Sequence, residues 1–104
     1  LPLEFLVRKQ TMDTARTYGL NDRGIVAPGY KADFNLIDMK SLNLLAPELV
    51  YDLPAGGRRF VQKATGYRHT FVSGIKVMRD GEFTGELPGK LLRGSQLTPG
   101  QAAE

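Results

Sequence analysis

Tyr67-Arg68-His69-Thr70-Phe71-Val72-Ser73-Gly74-Ile75-Lys76-Val77-Met78-Arg79 is a pair of β-rich runs meeting at two small residues. In the first run Tyr67, His69 and Phe71 alternate with Arg68, Thr70 and Val72, the period of a strand with two different faces. Ser73-Gly74 supplies the two-residue connection that an antiparallel hairpin needs. Asp80-Gly81 is a second turn signal and leads into Glu82-Phe83-Thr84. Gly85, Pro88 and Gly89 then predict irregular backbone before Leu91-Leu92-Arg93. The last ten residues, Ser95 to Glu104, are polar with Pro99-Gly100 and Ala102-Ala103, and are expected to be disordered.

Upstream of the hairpin, Ala32 to Ile37 reads as a strand, with Ala32, Phe34 and Leu36 alternating against Asp33 and Asn35. Before it, Asn21-Asp22-Arg23-Gly24 reads as a turn and Ile25-Val26-Ala27 as a short strand. Pro28-Gly29 stops that strand in type II geometry. Met39 to Gly57 holds Leu42, Leu44, Leu45, Leu49 and Val50 without a clear period, interrupted by Pro47, Pro54 and Gly56-Gly57. That pattern predicts a long connection with one short helical turn.

The first nineteen residues change period. Leu3, Leu6, Val7 and Gln10 share a side at helical spacing, and Pro2 suits a first turn. A break is expected near Thr11, with Thr11 or Asp13 capping a second short helix from Ala15 to Tyr18 and Gly19 ending it. Such a helix needs a surface to lie on. The expected organisation is a helical segment over 1–20, a small β unit over 21–94 and a tail over 95–104. The fold class is mainly β with N-terminal helices.

With 104 residues, 41% of them hydrophobic and 24% charged, the composition suits one modest core. The chain starts at Leu1 rather than Met, and is expected to be processed or cut from something longer. No apolar run approaches the roughly 18–20 residues of a membrane span, and no membrane partner is expected. The absence of cysteine removes disulfide and thiol chemistry and leaves the compartment open, with the cytoplasm as the expectation. The net charge of +3 is unevenly spread. Leu53 to Arg79 carries Arg58, Arg59, Lys63, Arg68, Lys76 and Arg79 with no acidic residue, leaving eight basic against eleven acidic residues elsewhere. Such a segment is either a solvated face or an attractor of phosphate or an acidic partner.

Catalytic patterns are scarce. A zinc site needs three or four His, Cys or carboxylate ligands, and His69 is the single histidine. Asp33, Asp38, Asp52 and Asp80 fall in different elements. Ser41, Ser73 and Ser95 sit in no Gly-x-Ser-x-Gly elbow, and Ser73 is explained by the hairpin turn. Gly24 to Gly29 has the spacing of a phosphate loop but Tyr30 where lysine is required. Gly85 to Gly89 is one residue short, with Leu91 where the metal-holding hydroxyl belongs. Catalytic, cofactor-binding and metal residues are therefore all read as none. Phe60, Tyr67 and Phe71 interleaved with Arg59, Lys63 and Arg68 leave an alternative, a free-standing β domain that binds nucleic acid or an acidic partner through 58–79.

The string Asn21-Asp22-Arg23-Gly24-Ile25-Val26-Ala27-Pro28-Gly29-Tyr30-Lys31-Ala32-Asp33-Phe34-Asn35-Leu36-Ile37-Asp38 resembles the segment that closes the catalytic barrel of amidohydrolase-superfamily enzymes. Thr11 to Leu20 resembles the helix preceding it. Gln62 to Gly74 followed by Asp80 to Gly94 is similar to the N-acyl-D-amino-acid deacylases. The resemblance covers Leu3 to Gly94. It implies the last helices of a (β/α)8 barrel followed by the C-terminal part of a composite β sandwich. It also implies a parent enzyme that hydrolyses N-acyl-D-amino acids, or another amide such as a cyclic one, with zinc. The family's metal ligands and catalytic aspartate map onto no residue here, so the zinc is expected in the parent and none in this chain. The implied partners are the rest of the parent and, through unpaired strand edges, further copies of the chain.

Overall fold

The structure is a computed structural model, and it describes residues 1–100. It is mostly β, with one N-terminal helical segment and antiparallel sheets. The helical segment runs through α1 (Leu3–Arg8), a π turn (Lys9–Asp13) and α2 (Thr14–Thr17). The break expected near Thr11 is instead an unbroken helix carrying one extra residue. Asp13 is helical and makes no side-chain cap. The physical cause is three threonines that donate back to carbonyls one turn earlier, Thr11 to Val7, Thr14 to Lys9 and Thr17 to Asp13, at 2.7–2.9 Å. The Thr14 bond spans five residues, as a π bulge does. Gly19, at φ 72°, ends the helix as expected.

Residues 20–33 form a loop laid against the end of that helix. Leu20 N–H donates to the Ala15 carbonyl at 2.8 Å, and Lys31 N–H to the Asp22 carbonyl at 2.7 Å. The expected strand Ile25–Ala27 is absent: no neighbouring strand offers a ladder, and Val26 is 92% exposed. The Pro28-Gly29 turn does form, closed by Tyr30 N–H on the Ala27 carbonyl.

The main sheet has strand order β1-β6-β7-β8, all antiparallel, with β1 at Phe34–Ile37, β6 at Tyr67–Val72, β7 at Ile75–Arg79 and β8 at Glu82–Phe83. Phe34 lies opposite Phe71 and Leu36 opposite His69, so the alternation read from sequence fixes the register. Ser73 (φ 51°) and Gly74 (φ 76°) both take left-handed backbone, the requirement of a type I′ hairpin turn. Gly74 N–H closes onto the Ala32 carbonyl at 3.0 Å, tying the turn to the strand edge beside it.

The middle of the chain departs from expectation. In place of a long connection, β2 (Asn43–Leu44) pairs with β5 (Ala64–Thr65), and β3 (Glu48–Leu53) pairs with β4 (Gly57–Val61). Between these pairs Leu45 N–H donates to the Lys63 carbonyl and the Gln62 side chain to the Leu45 carbonyl. The result is one two-stranded ribbon from Asn43 to Thr65, about 35 Å long at strand rise. A 3-10 turn at Pro54–Gly56 forms its tip. Of the residues read as interruptions, Pro47 falls in the break between β2 and β3, and Pro54 and Gly56-Gly57 form the tip of this ribbon. Its strands pack on each other and on the tip, and on no other element to a comparable extent.

Of the stretch expected to be disordered, residues 95–100 are anchored. Gln96 N–H donates to the Gly19 carbonyl at 2.8 Å, and Asn21 Nδ2 donates to the Gln96 carbonyl at 3.0 Å, beside a bridge between Leu20 and Gln96. The rest of that stretch, including Ala102-Ala103, lies outside the described residues.

Burial is sparse throughout. Ala15 is the one buried hydrophobic residue among those described. The accessible surface is 8452 Å², against about 5,800 Å² for a folded monomer of this mass. The radius of gyration is 16.5 Å, against about 13 Å for a compact domain of this length. The sheets and helix thus present apolar faces that this chain does not cover.

Candidate functional site

Three polar clusters stand out, two holding loops to the main sheet and one bridging the strands of the ribbon. At the first, Arg23 Nε donates to Asp22 Oδ1 at 2.9 Å and its Nη2 to Asp22 Oδ2 at 3.3 Å, a two-pronged pair. Asp33 Oδ2 lies 3.7 Å from the same guanidinium, while Asp33 Oδ1 accepts from the Ser73 N–H at 2.8 Å. The Arg23 and Asp22 side chains are mostly buried. The Arg23 hydrogen bond holds the Asp22 carboxyl below its ordinary range, and Asp22 in turn raises Arg23. This knot joins the 20–33 loop to the tip of the β6–β7 hairpin.

The second cluster is centred on Arg68 of β6, whose Nη2 donates to Asp38 Oδ2 at 3.0 Å and whose Nη1 reaches Asp80 Oδ1 at 3.5 Å. Asp38 also accepts from Ser41 Oγ at 2.7 Å and from the Lys40 N–H at 3.1 Å. Hydrogen bonds from Ser41 and Arg68 lower the Asp38 pKa. Sequence reading separated Asp38 from Asp80; the strand between them presents Arg68 to both. The signal was the polar face of β6, where Arg68 alternates with Tyr67 and His69. At the third cluster, on the ribbon, Arg59 is bidentate to Asp52 at 2.8 and 2.6 Å, which lowers the Asp52 pKa and raises that of Arg59.

These contacts divide the basic segment. Arg59 and Arg68 are neutralised by carboxylates, and Lys76 Nζ lies 5.7 Å above the Phe71 ring. Arg58, Arg59 and Lys63 belong to the ribbon or its base, whereas Arg68, Lys76 and Arg79 belong to the main sheet. Of the aromatics, Phe71 stacks on Phe34 with ring centroids 4.6 Å apart, and Phe60 stands apart on the ribbon at 75% exposure. The 58–79 segment is therefore spread over two structural units rather than gathered into one face.

His69 faces Leu36 and Arg79 across its neighbouring strands and meets Phe71 edge-on. Its Nδ1 is buried without a hydrogen-bond partner. Among the described residues no three His, Cys, Asp or Glu side chains come together as a metal site would require. The carboxylates singled out from sequence instead accept from arginines and backbone N–H groups. An open groove of about 450 Å³ runs beside the hairpin tip, with Val72, Ile75 and Leu92 on its apolar side and Lys31 and Lys90 at its rim. In the second cluster Ser41 Oγ donates to the Asp38 carboxylate at 2.7 Å and lies 3.5 Å from Arg68 Nη2. No helix among the described residues is long and apolar enough to cross a membrane.

Neither a protein-family model nor a solved structure matches the chain. Curated proteins do. Allantoinase of Deinococcus radiodurans is 33% identical over 93% of this chain, which covers 21% of that protein. N-acyl-D-aspartate deacylase of Alcaligenes xylosoxydans xylosoxydans is 34% identical over 95% of the chain and 18% of that protein. D-aminoacylase of the same organism is 32% identical over 88% of the chain and 17% of that protein. The chain thus spans about a fifth of the length of the curated relatives it matches.

Proposed function

We propose, from the premise that this chain is a relative of amidohydrolase-superfamily enzymes, that it is a structural segment of a hydrolase that cleaves the amide bond of N-acyl-D-amino acids. One observation carries the reading: two of the relatives that match along almost the whole chain are D-amino-acid deacylases by name, and each is about five times longer. In this reading the catalytic metal, zinc, and the residues that activate water belong to the rest of the polypeptide. This chain contributes the last helices of the barrel, over Leu3–Thr17, and strands of a sandwich beside it. The parent acts in the cytoplasm.

The internal organisation supports such a role. The Asp22–Arg23–Asp33 knot fastens the 20–33 loop, which follows the helix, to the tip of the β6–β7 hairpin. The uncovered stripe of α1, with Leu3, Leu6 and Val7 each 40–51% exposed, is suited to packing on a barrel. A second reading, in which the parent acts on another amide such as a cyclic one, is favoured by the allantoinase match. The test is to assay the zinc-loaded full-length polypeptide with N-acetyl-D-amino acids, their L counterparts and allantoin. Preferential release of free D-amino acid is the expected result. Turnover of allantoin alone would move the reading to the second, and turnover of none would end both.

A further inference from the structure

The ribbon Asn43–Thr65 is the part of the fold whose shape its own chain does not explain. A free two-stranded ribbon is marginal in water, because each strand has one neighbour and neither face is covered. Its two faces differ. Glu48, Val50, Asp52, Arg59 and Val61 share one, where Asp52 and Arg59 satisfy each other. By strand alternation Leu49, Phe60 and Arg58 share the other, and Tyr51 follows at the register shift between Val50 and Leu53. Leu49 lies directly opposite Phe60, and the three apolar side chains are 42%, 65% and 75% exposed. Arg58 is exposed and makes no ion pair among the described residues.

We infer that this ribbon is a docking arm whose Leu49–Tyr51–Phe60 face and Arg58 seat on an apolar surface bearing a carboxylate, carried by the same polypeptide outside these 104 residues. The inference rests on the reading of the chain as a segment of a longer amidohydrolase relative. Three observations choose this occupant. The accessible surface of the whole chain exceeds that of a compact monomer by about 2,600 Å², and the arm's Leu49, Tyr51 and Phe60 are part of that uncovered surface. Among the described residues the arm's strands pack mainly on each other and on the tip, so their outer face is left for something beyond them. A second copy fits poorly, because this face holds Arg58 and no acid. Two copies meeting through it would bury two arginines with no counter-charge, which costs more than the apolar contact returns.

Arg58 and Arg59, at the start of β4 beside the tip, are trypsin sites and provide the readout. The full-length polypeptide is exposed to trypsin at two protein concentrations tenfold apart, cleavage after Arg58 and Arg59 is timed by mass spectrometry, and amide hydrolysis is measured on the same sample. The expected result is slow cleavage, independent of concentration, that accelerates at least tenfold in Phe60→Asp. Arg58→Glu, which keeps the apolar area and opposes the carboxylate, should open the Arg59 site in the same way and guards against simple misfolding of the first variant. Wild-type cleavage as fast as in the variants would overturn the inference, as would protection that falls on dilution, the mark of a second copy. An active hydrolase with an unprotected arm rejects the arm alone. A protected arm on a protein with no amide hydrolysis supports the arm and rejects the hydrolase reading.

Discussion

Asp22 and Arg23 are adjacent in sequence and bidentate in space, and with Asp33 they hold a loop that makes no regular structure of its own. Because the Asp22 pKa is lowered by folding, its contribution is complete above the ordinary carboxyl value and is lost as pH falls through the folded one. Asp22→Asn should therefore cost about 1–2 kcal/mol at neutral pH. The difference from wild type should shrink below about pH 4, as read by thermal unfolding across a pH series. A difference that persists unchanged at pH 3 would contradict this. Gly66 makes a second prediction at this scale. A Cβ there would lie 2.6 Å from Leu42 Cα and 2.7 Å from Leu42 N, at φ +96°. Gly66→Ala should cost upwards of about 2 kcal/mol. Gly74→Ala, where the nearest atom is 3.8 Å away, should cost about 1 kcal/mol for the left-handed backbone alone. Equal melting shifts for the two would refute the steric argument. Sequence could offer the turn at Ser73-Gly74, since two left-handed positions have a residue signature. It could not offer the constraint at Gly66, which comes from a backbone distant in the chain.

Among the elements, those with a local signal were legible and those without were not. The β6–β7 hairpin alternates cleanly and forms where alternation places it. The π turn was invisible because its cause is the spacing of Thr11, Thr14 and Thr17, each an ordinary helix-capping residue when read singly. The ribbon has no single readable window because its strands are broken between Leu44 and Glu48 and shifted in register between Val50 and Leu53. Its isolation yields a prediction by hydrogen exchange on the 104-residue chain. Amides of β3 and β4 should exchange first, and those of β6, flanked by strands on both sides, last. Equal protection of ribbon and sheet would show that the ribbon is supported within this chain.

For the whole molecule, sequence showed carboxylates scattered over separate elements, and the structure places Asp22 on Arg23, Asp52 on Arg59 and Asp38 on Arg68. What sequence could not convey is how little of the apolar surface is covered, since hydrophobic content alone does not say against what it packs. Phe34, Leu36, Leu49, Tyr51 and Phe60 remain open. Unpaired edges and open faces recruit neighbours, so sedimentation of the isolated 104-residue chain should show association that rises with concentration. A strictly monomeric, cooperatively folding species would argue for a self-sufficient domain. The nucleic-acid alternative makes its own prediction, a salt-sensitive affinity for single-stranded DNA; with Arg59 and Arg68 neutralised, none is expected. The central claim, that this chain supports a hydrolase without performing the chemistry, is tested most directly by one amide-hydrolysis assay with zinc on two samples. The full-length polypeptide should release free amino acid from N-acyl-D-amino acids while the 104-residue chain alone releases none. Release by the 104-residue chain alone, or by neither sample, would contradict it.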